Sequence, residues 1–277
     1  MALKVGYIGL GSMGQPIATN VLQGGFELIV ADLREEPVKA LASLGAQVAK
    51  SPREVAHFAD VVETSVVDDA QVEEIVLGDN GILAGAKPGT IVAVHSTIHP
   101  DTVRKLAPIT RARGVEIIDA QVSGGAAGAR GRRLCYMVGG DEALLERCRP
   151  VFATSGDKIF HMGPLGSGAA AKLAQQVITT VTMLAVSEGM NLARAAGLDL
   201  EVFEQLLRVS AGQSYMADHW LRQFGQGGTA KGIEGFYKGL IPAISLAHQL
   251  GVSVPGTALF QQLVPNVLAG PRNAEGA

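Results

Sequence analysis

The sequence predicts an α/β fold: an N-terminal doubly wound domain built on a parallel sheet, then a long interdomain helix opening an all-α C-terminal domain. Three observations carry this. Short apolar runs alternate with helical patterns through the first half of the chain. A glycine-rich turn separates the first apolar run from the first helix. After about residue 163 the strand signal stops and only helical spacing remains. The domains expected are therefore 1–162 and 163–277.

LKVGYIGLG (3–11) reads as a strand entering a turn, and SMGQPIATNVLQ (12–23) as the helix after it. ELIVAD (27–32) is the next strand and EEPVKALASLG (35–45) the next helix. ADVVETSV (59–66), TIVAVHST (90–97), VEIIDAQV (115–122) and LCYMVGG (134–140) extend the sheet, with helical segments such as DTVRKLAPITRARG (101–114) between them. GSGAAAKLAQQVITTVTMLAVSEGMNLARAAG (166–197) is expected as one helix of roughly thirty residues, about 45 Å long. Gly197 is its stop signal. EVFEQLLRVS and IPAISLAHQLG continue the helical pattern. Pro242 cannot donate a backbone hydrogen bond, so a helix is expected to restart beside it. The closing PRNAEGA is a polar tail.

Composition narrows the function classes. With 47% hydrophobic and 18% charged residues, the chain fits a compact globular protein and not a disordered one. A net charge of −3 and only a short run at Arg130, Arg132 and Arg133 give no electrostatic footprint for nucleic acid. Cys135 and Cys148 are expected to be reduced and buried. Residues 3–9 lead straight into the glycine turn, so no signal peptide is read there. Polar residues Gln175, Gln176, Thr179, Thr180 and Thr182 interrupt the longest apolar stretch, which reads as a buried helix and not a membrane span. The expected location is cytoplasmic.

GLGSMG places Gly9, Gly11 and Gly14 in the spacing G-x-G-x-x-G, after a strand and at the opening of a helix. Asp32 follows about twenty residues on, at the end of the second strand. That context marks a Rossmann dinucleotide site. Gly9 permits the tight turn, Gly11 lets the backbone approach a pyrophosphate, and Gly14 lets helix and strand pack closely. The helix N-terminus presents unpaired N–H groups to the anion. A carboxylate at position 32 accepts bonds from ribose hydroxyls and repels a 2′-phosphate, whereas Arg34 could grip that phosphate. NAD is favoured over NADP because the acid holds the strand-end position.

Four further motifs occur in order: HSTIHP (95–100), DAQVSGGAAGA (119–129), GPLGSGAAAKLAQQ (163–176) and FYKGL (236–240). With the opening GLGSMGQPIATNVLQGG they resemble the β-hydroxyacid dehydrogenase family over nearly the whole chain. That family includes 3-hydroxyisobutyrate dehydrogenase and tartronate semialdehyde reductases. The resemblance implies hydride transfer between NAD(P) and a small β-hydroxy acid or its semialdehyde. It implies that Lys172 is the general acid/base, and that Ser123, Gly124 and Gly125 bind the substrate carboxylate. Ser96 and Thr97 match the segment beside nicotinamide and substrate; Thr97 is also a candidate helix cap. Lys238 matches a lysine near both ligands. The cofactor set so implied is Gly9, Leu10, Gly11, Ser12, Met13, Gly14, Asp32, Val66, Thr97 and Lys238.

Departures from the family pattern bear on specificity. Gln176 stands where asparagine is common, four residues after Lys172 and so on the same helix face. It stays a candidate substrate contact; Gln175 points away. Gly239 replaces an aspartate, Gln121 a proline, and Arg132-Arg133 a Gly-Thr pair. Those arginines are read as solvated, or as favouring a more anionic substrate. Competing readings are an imine reductase, which Lys172 argues against, and a catalytically silent dinucleotide-binding protein. His95 and His99 lack an apparent third ligand for a metal. The length and sparse charge of the long helix lead to an expected homodimer or homotetramer.

Overall fold

A computed structural model describes residues 3–224 and 233–267 of the chain. It divides into two compact units, Met1–Lys172 and Leu173–Ala277.

In the first unit, β1 (Lys4–Ile8), α1 (Gly14–Gln23), β2 (Glu27–Ala31), α2 (Glu35–Ser43), β3 (Gln47–Val48), α3 (Pro52–Phe58) and β4 (Val61–Thr64) form one half of the sheet. Then come α4 (Asp69–Leu77), β5 (Ile91–Val94), α5 (Pro100–Arg111), β6 (Glu116–Ser123), α6 (Gly125–Arg130), β7 (Cys135–Gly139), α7 (Glu142–Phe152) and β8 (Lys158–Gly163). The strand order is β3-β2-β1-β4-β5-β6-β7-β8, doubly wound about β1 and β4. Alternation along the strands feeds two apolar layers. Val5, Tyr7 and Ile118 face one, while Ile8, Val62 and Ile117 face the other.

The sheet departs from the expected all-parallel form at one place. Strand β7 pairs antiparallel with β6, in register from Asp119↔Gly139 to Ser123↔Cys135. Only the short α6 joins the two strands, too little chain for the crossover that a parallel return needs. Strands β3 and β8 were not legible in the sequence. The first has two exposed residues, and most of the second is exposed, so neither shows a half-buried alternation.

Helix α8 (Ser167–Ala195) runs for 29 residues and continues into the second unit. Gly197, at φ +76°, follows its end, and Leu198 N–H returns to the Ala193 carbonyl. By length and hydropathy alone α8 would qualify as a membrane span. Its Met183, Leu184 and Met190 instead enter a protein core with Met216, Trp220, Leu240 and Phe260.

Beyond it lie α9 (Leu200–Leu207), α10 (Tyr215–Asp218), α11 (Trp220–Phe224), α12 (Ile233–Gln249) and α13 (Pro255–Val267). Helix α12 does not restart at Pro242 but runs through it. Leu240, Ala243 and Ala247 are buried around the proline, and that packing outweighs one missing backbone bond.

Candidate active site

The nucleotide end is built by the turn after β1. Gly9 has φ +91°, and a Cβ there would collide with the Ser65 carbonyl beyond β4. A Cβ on Gly14 would run into the Gly9 carbonyl, so glycine at both positions lets α1 close onto the strand. Gly11 faces open space, which leaves its backbone approachable. Met13 sits at the start of α1 without a side-chain cap, so no side chain competes with an anion for the helix's first N–H groups. Ser12 is exposed and Leu10 buried. A cradle of this shape fits the pyrophosphate of a dinucleotide.

Asp32 follows β2, and its carboxylate accepts the Leu10 N–H and the Arg34 N–H. The Arg34 guanidinium lies on the same carboxylate, with Nε 3.0 Å from Oδ1. Burial pushes the Asp32 carboxyl up, but the side-chain and backbone bonds from Arg34 and the Leu10 amide outweigh it, and the net shift is downward. Acid and arginine therefore share one spot at the ribose end instead of offering separate sites.

Across the sheet edge, Val66 N–H donates to Ser96 Oγ at 2.9 Å. The Ser96 carbonyl accepts from Gln121 Nε2 at 3.1 Å. Gln121 thus supplies a brace that proline lacks, joining the Val66 and Ser96-Thr97 segments to β6. Its Oε1 has no hydrogen-bond partner among the described residues. Thr97 is half-buried and does not cap the next helix, because His99 holds the N-cap of α5 and accepts the Asp101 N–H. His95 is buried, with Nε2 3.0 Å from Glu63 Oε1 and Nδ1 2.6 Å from the Ala120 carbonyl. Both ring nitrogens are committed inside the core.

Strand β6 ends at Ser123, and the next two residues turn the chain with φ +127° at Gly124 and +61° at Gly125. Both glycines are exposed, so their amides can meet an anion without side-chain obstruction. Directly opposite Ser123 in the antiparallel register is Cys135. Cys135 is half-buried, not buried as expected, and it interacts electrostatically with Lys172. Cys148 is buried, and burial pushes its thiol up to about 12.

Lys172 is the sixth residue of α8 and is half-buried. Burial pulls its amine down to about 8, and Cys135 opposes that shift. Four residues on, Gln176 is buried. A Cβ on Gly239 of α12 would lie 2.9 Å from Gln176 Nε2. The two departures at 176 and 239 are thus one packing feature, the longer amide resting on the residue without a side chain. Gln175 spends its amide on Thr179 Oγ1 at 2.6 Å. Arg132 and Arg133 are exposed, and Arg132 bonds Gln23 of α1. Lys238 belongs to α12, but its side chain lies outside the described residues.

A doubly wound sheet with this glycine cradle, followed by a helix whose lysine is drawn down by burial, is the setting of a nicotinamide-dependent oxidoreductase. Residues 4–163 match the family described as the NAD binding domain of 6-phosphogluconate dehydrogenase. Residues 166–276 match the NAD-binding domain of NADP-dependent 3-hydroxyisobutyrate dehydrogenase. The chain belongs to the β-hydroxyacid dehydrogenase family. It is 42% identical to the NAD-dependent L-serine dehydrogenase of Pseudomonas aeruginosa over 76% of this chain and 71% of that one. It is 33% identical to the 2-(hydroxymethyl)glutarate dehydrogenase of Eubacterium barkeri over 95% of this chain and 88% of that one. The crystal structure of 3-hydroxyisobutyrate dehydrogenase from Salmonella typhimurium superposes with a TM-score of 0.84 at 29% identity, covering 97% and 96% of the two chains.

Proposed function

We propose that this NAD(P)-dependent hydroxyacid dehydrogenase interconverts a small β-hydroxy acid and its semialdehyde, with Lys172 as general acid/base. One observation carries the reading. Ser123 stands opposite Cys135, Cys135 interacts with Lys172, and the lysine is drawn down to about 8. That chain of neighbours supports a titrating amine acting near the turn suited to a carboxylate. Bound nicotinamide supplies or accepts the hydride. In reduction the substrate oxygen gains negative charge, which the Lys172 ammonium meets by giving its proton. In oxidation the neutral amine takes the hydroxyl proton. The Ser123 hydroxyl and the Gly124 and Gly125 amides hold the carboxylate, and the buried Gln176 amide contacts the rest of the substrate.

Residues 1–162 are assigned to nucleotide binding and 163–277 to the helical domain. Asp32 at the end of β2 supports NAD, with NADP admitted if Arg34 leaves the carboxylate for a 2′-phosphate. A homodimer or homotetramer is the proposed assembly.

The test is a panel of β-hydroxy acids and semialdehydes with NAD(H) and NADP(H), run on wild type and Lys172→Ala. The variant is expected to keep cofactor binding and lose turnover by about 10²-fold or more. Full activity in the variant would sink the lysine assignment, and much tighter NADP than NAD binding would overturn the reading of Asp32.

A further inference from the structure

Strand β6 carries a carboxylate that none of these steps uses. Asp119 is wholly buried, four residues before Ser123, and alternation places Asp119, Gln121 and Ser123 on one face of the strand. Asp119 Oδ1 accepts the Gly166 N–H at 2.7 Å, and Oδ2 accepts the Ala169 N–H at 2.7 Å. Both oxygens therefore meet donors, as those of an ionised carboxylate do, while burial outweighs these bonds and draws the carboxyl up from its ordinary value.

The niche is shaped for it. A Cβ on Gly139 would lie 2.5 Å from Oδ1, and one on Gly168 would lie 2.9 Å from Oδ2. Two glycines, one on β7 and one in the first turn of α8, thus give the carboxylate its room. The first N–H groups of a helix have no partners within it. Gly166, just ahead of α8, has no side chain to cap them, and a residue from a distant strand does so instead.

We propose that Asp119 is a positioning residue: its carboxylate pins the start of α8, and with it Lys172, to the strand that ends in the Ser123 turn. Lys172 lies three residues beyond Ala169, less than one helical turn from the bonded amide. A shift in that turn moves the amine relative to the carboxylate-binding turn, and displacements of about 1 Å carry large rate losses. The inference rests on Lys172 being the acid/base.

The experiment compares full-length wild type, Asp119→Asn, Lys172→Ala and the double variant, with kcat expressed per NADH-binding site from fluorescence titration. Asparagine keeps the shape but turns an amide donor toward a backbone donor. Asp119→Asn is expected to lower kcat per site by about 10-fold or more while KM moves by less than about threefold. In the Lys172→Ala background it is expected to cost nothing further. Unchanged kcat per site, or an undiminished loss without the lysine, would overturn the proposal. A fully active Lys172→Ala would remove the lysine reading itself, and the proposal with it. If Asp119→Asn binds no NADH, Asp119→Ser, smaller and still an acceptor, replaces it with the same expectation. Failure of both to bind NADH would make Asp119 a fold determinant and refute the positioning role.

Discussion

In the role proposed for it, Lys172 exchanges its proton with substrate near neutral pH, and its amine is drawn down from the ordinary 10.5 to about 8. Burial does this by penalising the ammonium, while Cys135 pulls the other way. Burial also raises the Cys135 thiol, so near pH 7 its neutral form predominates beside the lysine. The sign of the pH dependence follows. Reduction needs the ammonium, so its rate is level at low pH and falls as pH rises through about 8. Oxidation needs the amine, so its rate rises through the same value to a plateau. Profiles in both directions at saturating cofactor should therefore cross, and two flat profiles across that region would remove the role. The place of Lys172 near the start of a long helix was legible in the sequence because that pattern is local. The partners of Asp119 were not, since they stand 47 and 50 positions away and only folding brings them together.

At the scale of elements, the contact between α8 and α12 joins two departures that looked independent in sequence. Gln176 and Gly239 meet because α12 presents a residue without a side chain where the glutamine amide lies. Spacing along either helix could place each residue on a face, but not show which faces meet. Pro242 misled for a related reason: local chemistry called for a break, and burial on both sides of the proline held the helix together. The edge strands β3 and β8 escaped notice because exposure left no alternation to read. The contact makes a prediction with two opposed readouts. Gly239→Ala should leave stability unchanged or raise it by up to about 1 kcal/mol, since alanine favours the helix and the one atom its Cβ would crowd is Gln176 Nε2, at the far end of a flexible side chain. Displacing the Gln176 amide should at the same time shift the substrate KM several-fold without altering NADH affinity. A thermal melt and steady-state kinetics separate the two. An unchanged KM would show that Gln176 does not contact substrate.

At the scale of the whole molecule, apolar side chains stand exposed along two helices among the described residues. On α8, Ile178, Val181, Ala185 and Leu192 are exposed, and positions 178, 185 and 192 repeat every seven residues. Ile178 is 69% exposed and Leu192 72% exposed, on a helix whose other face is already packed in the core. A seven-residue apolar repeat is the spacing by which one helix seats against another, and the proposed homo-oligomer would bring the same stripe of a second copy against it. Val202 and Leu206, four apart on α9, are exposed as well, and patches of this kind on soluble proteins mark association surfaces. Light scattering at micromolar protein should therefore give two or four times the mass of one chain. Ile178→Glu combined with Leu192→Glu would set like charges along the stripe, and the expected mass falls toward that of one chain while circular dichroism keeps its helical signal. A wild type with the mass of a single chain would remove the assembly. An oligomer that withstands both charges would place its interface elsewhere than on α8.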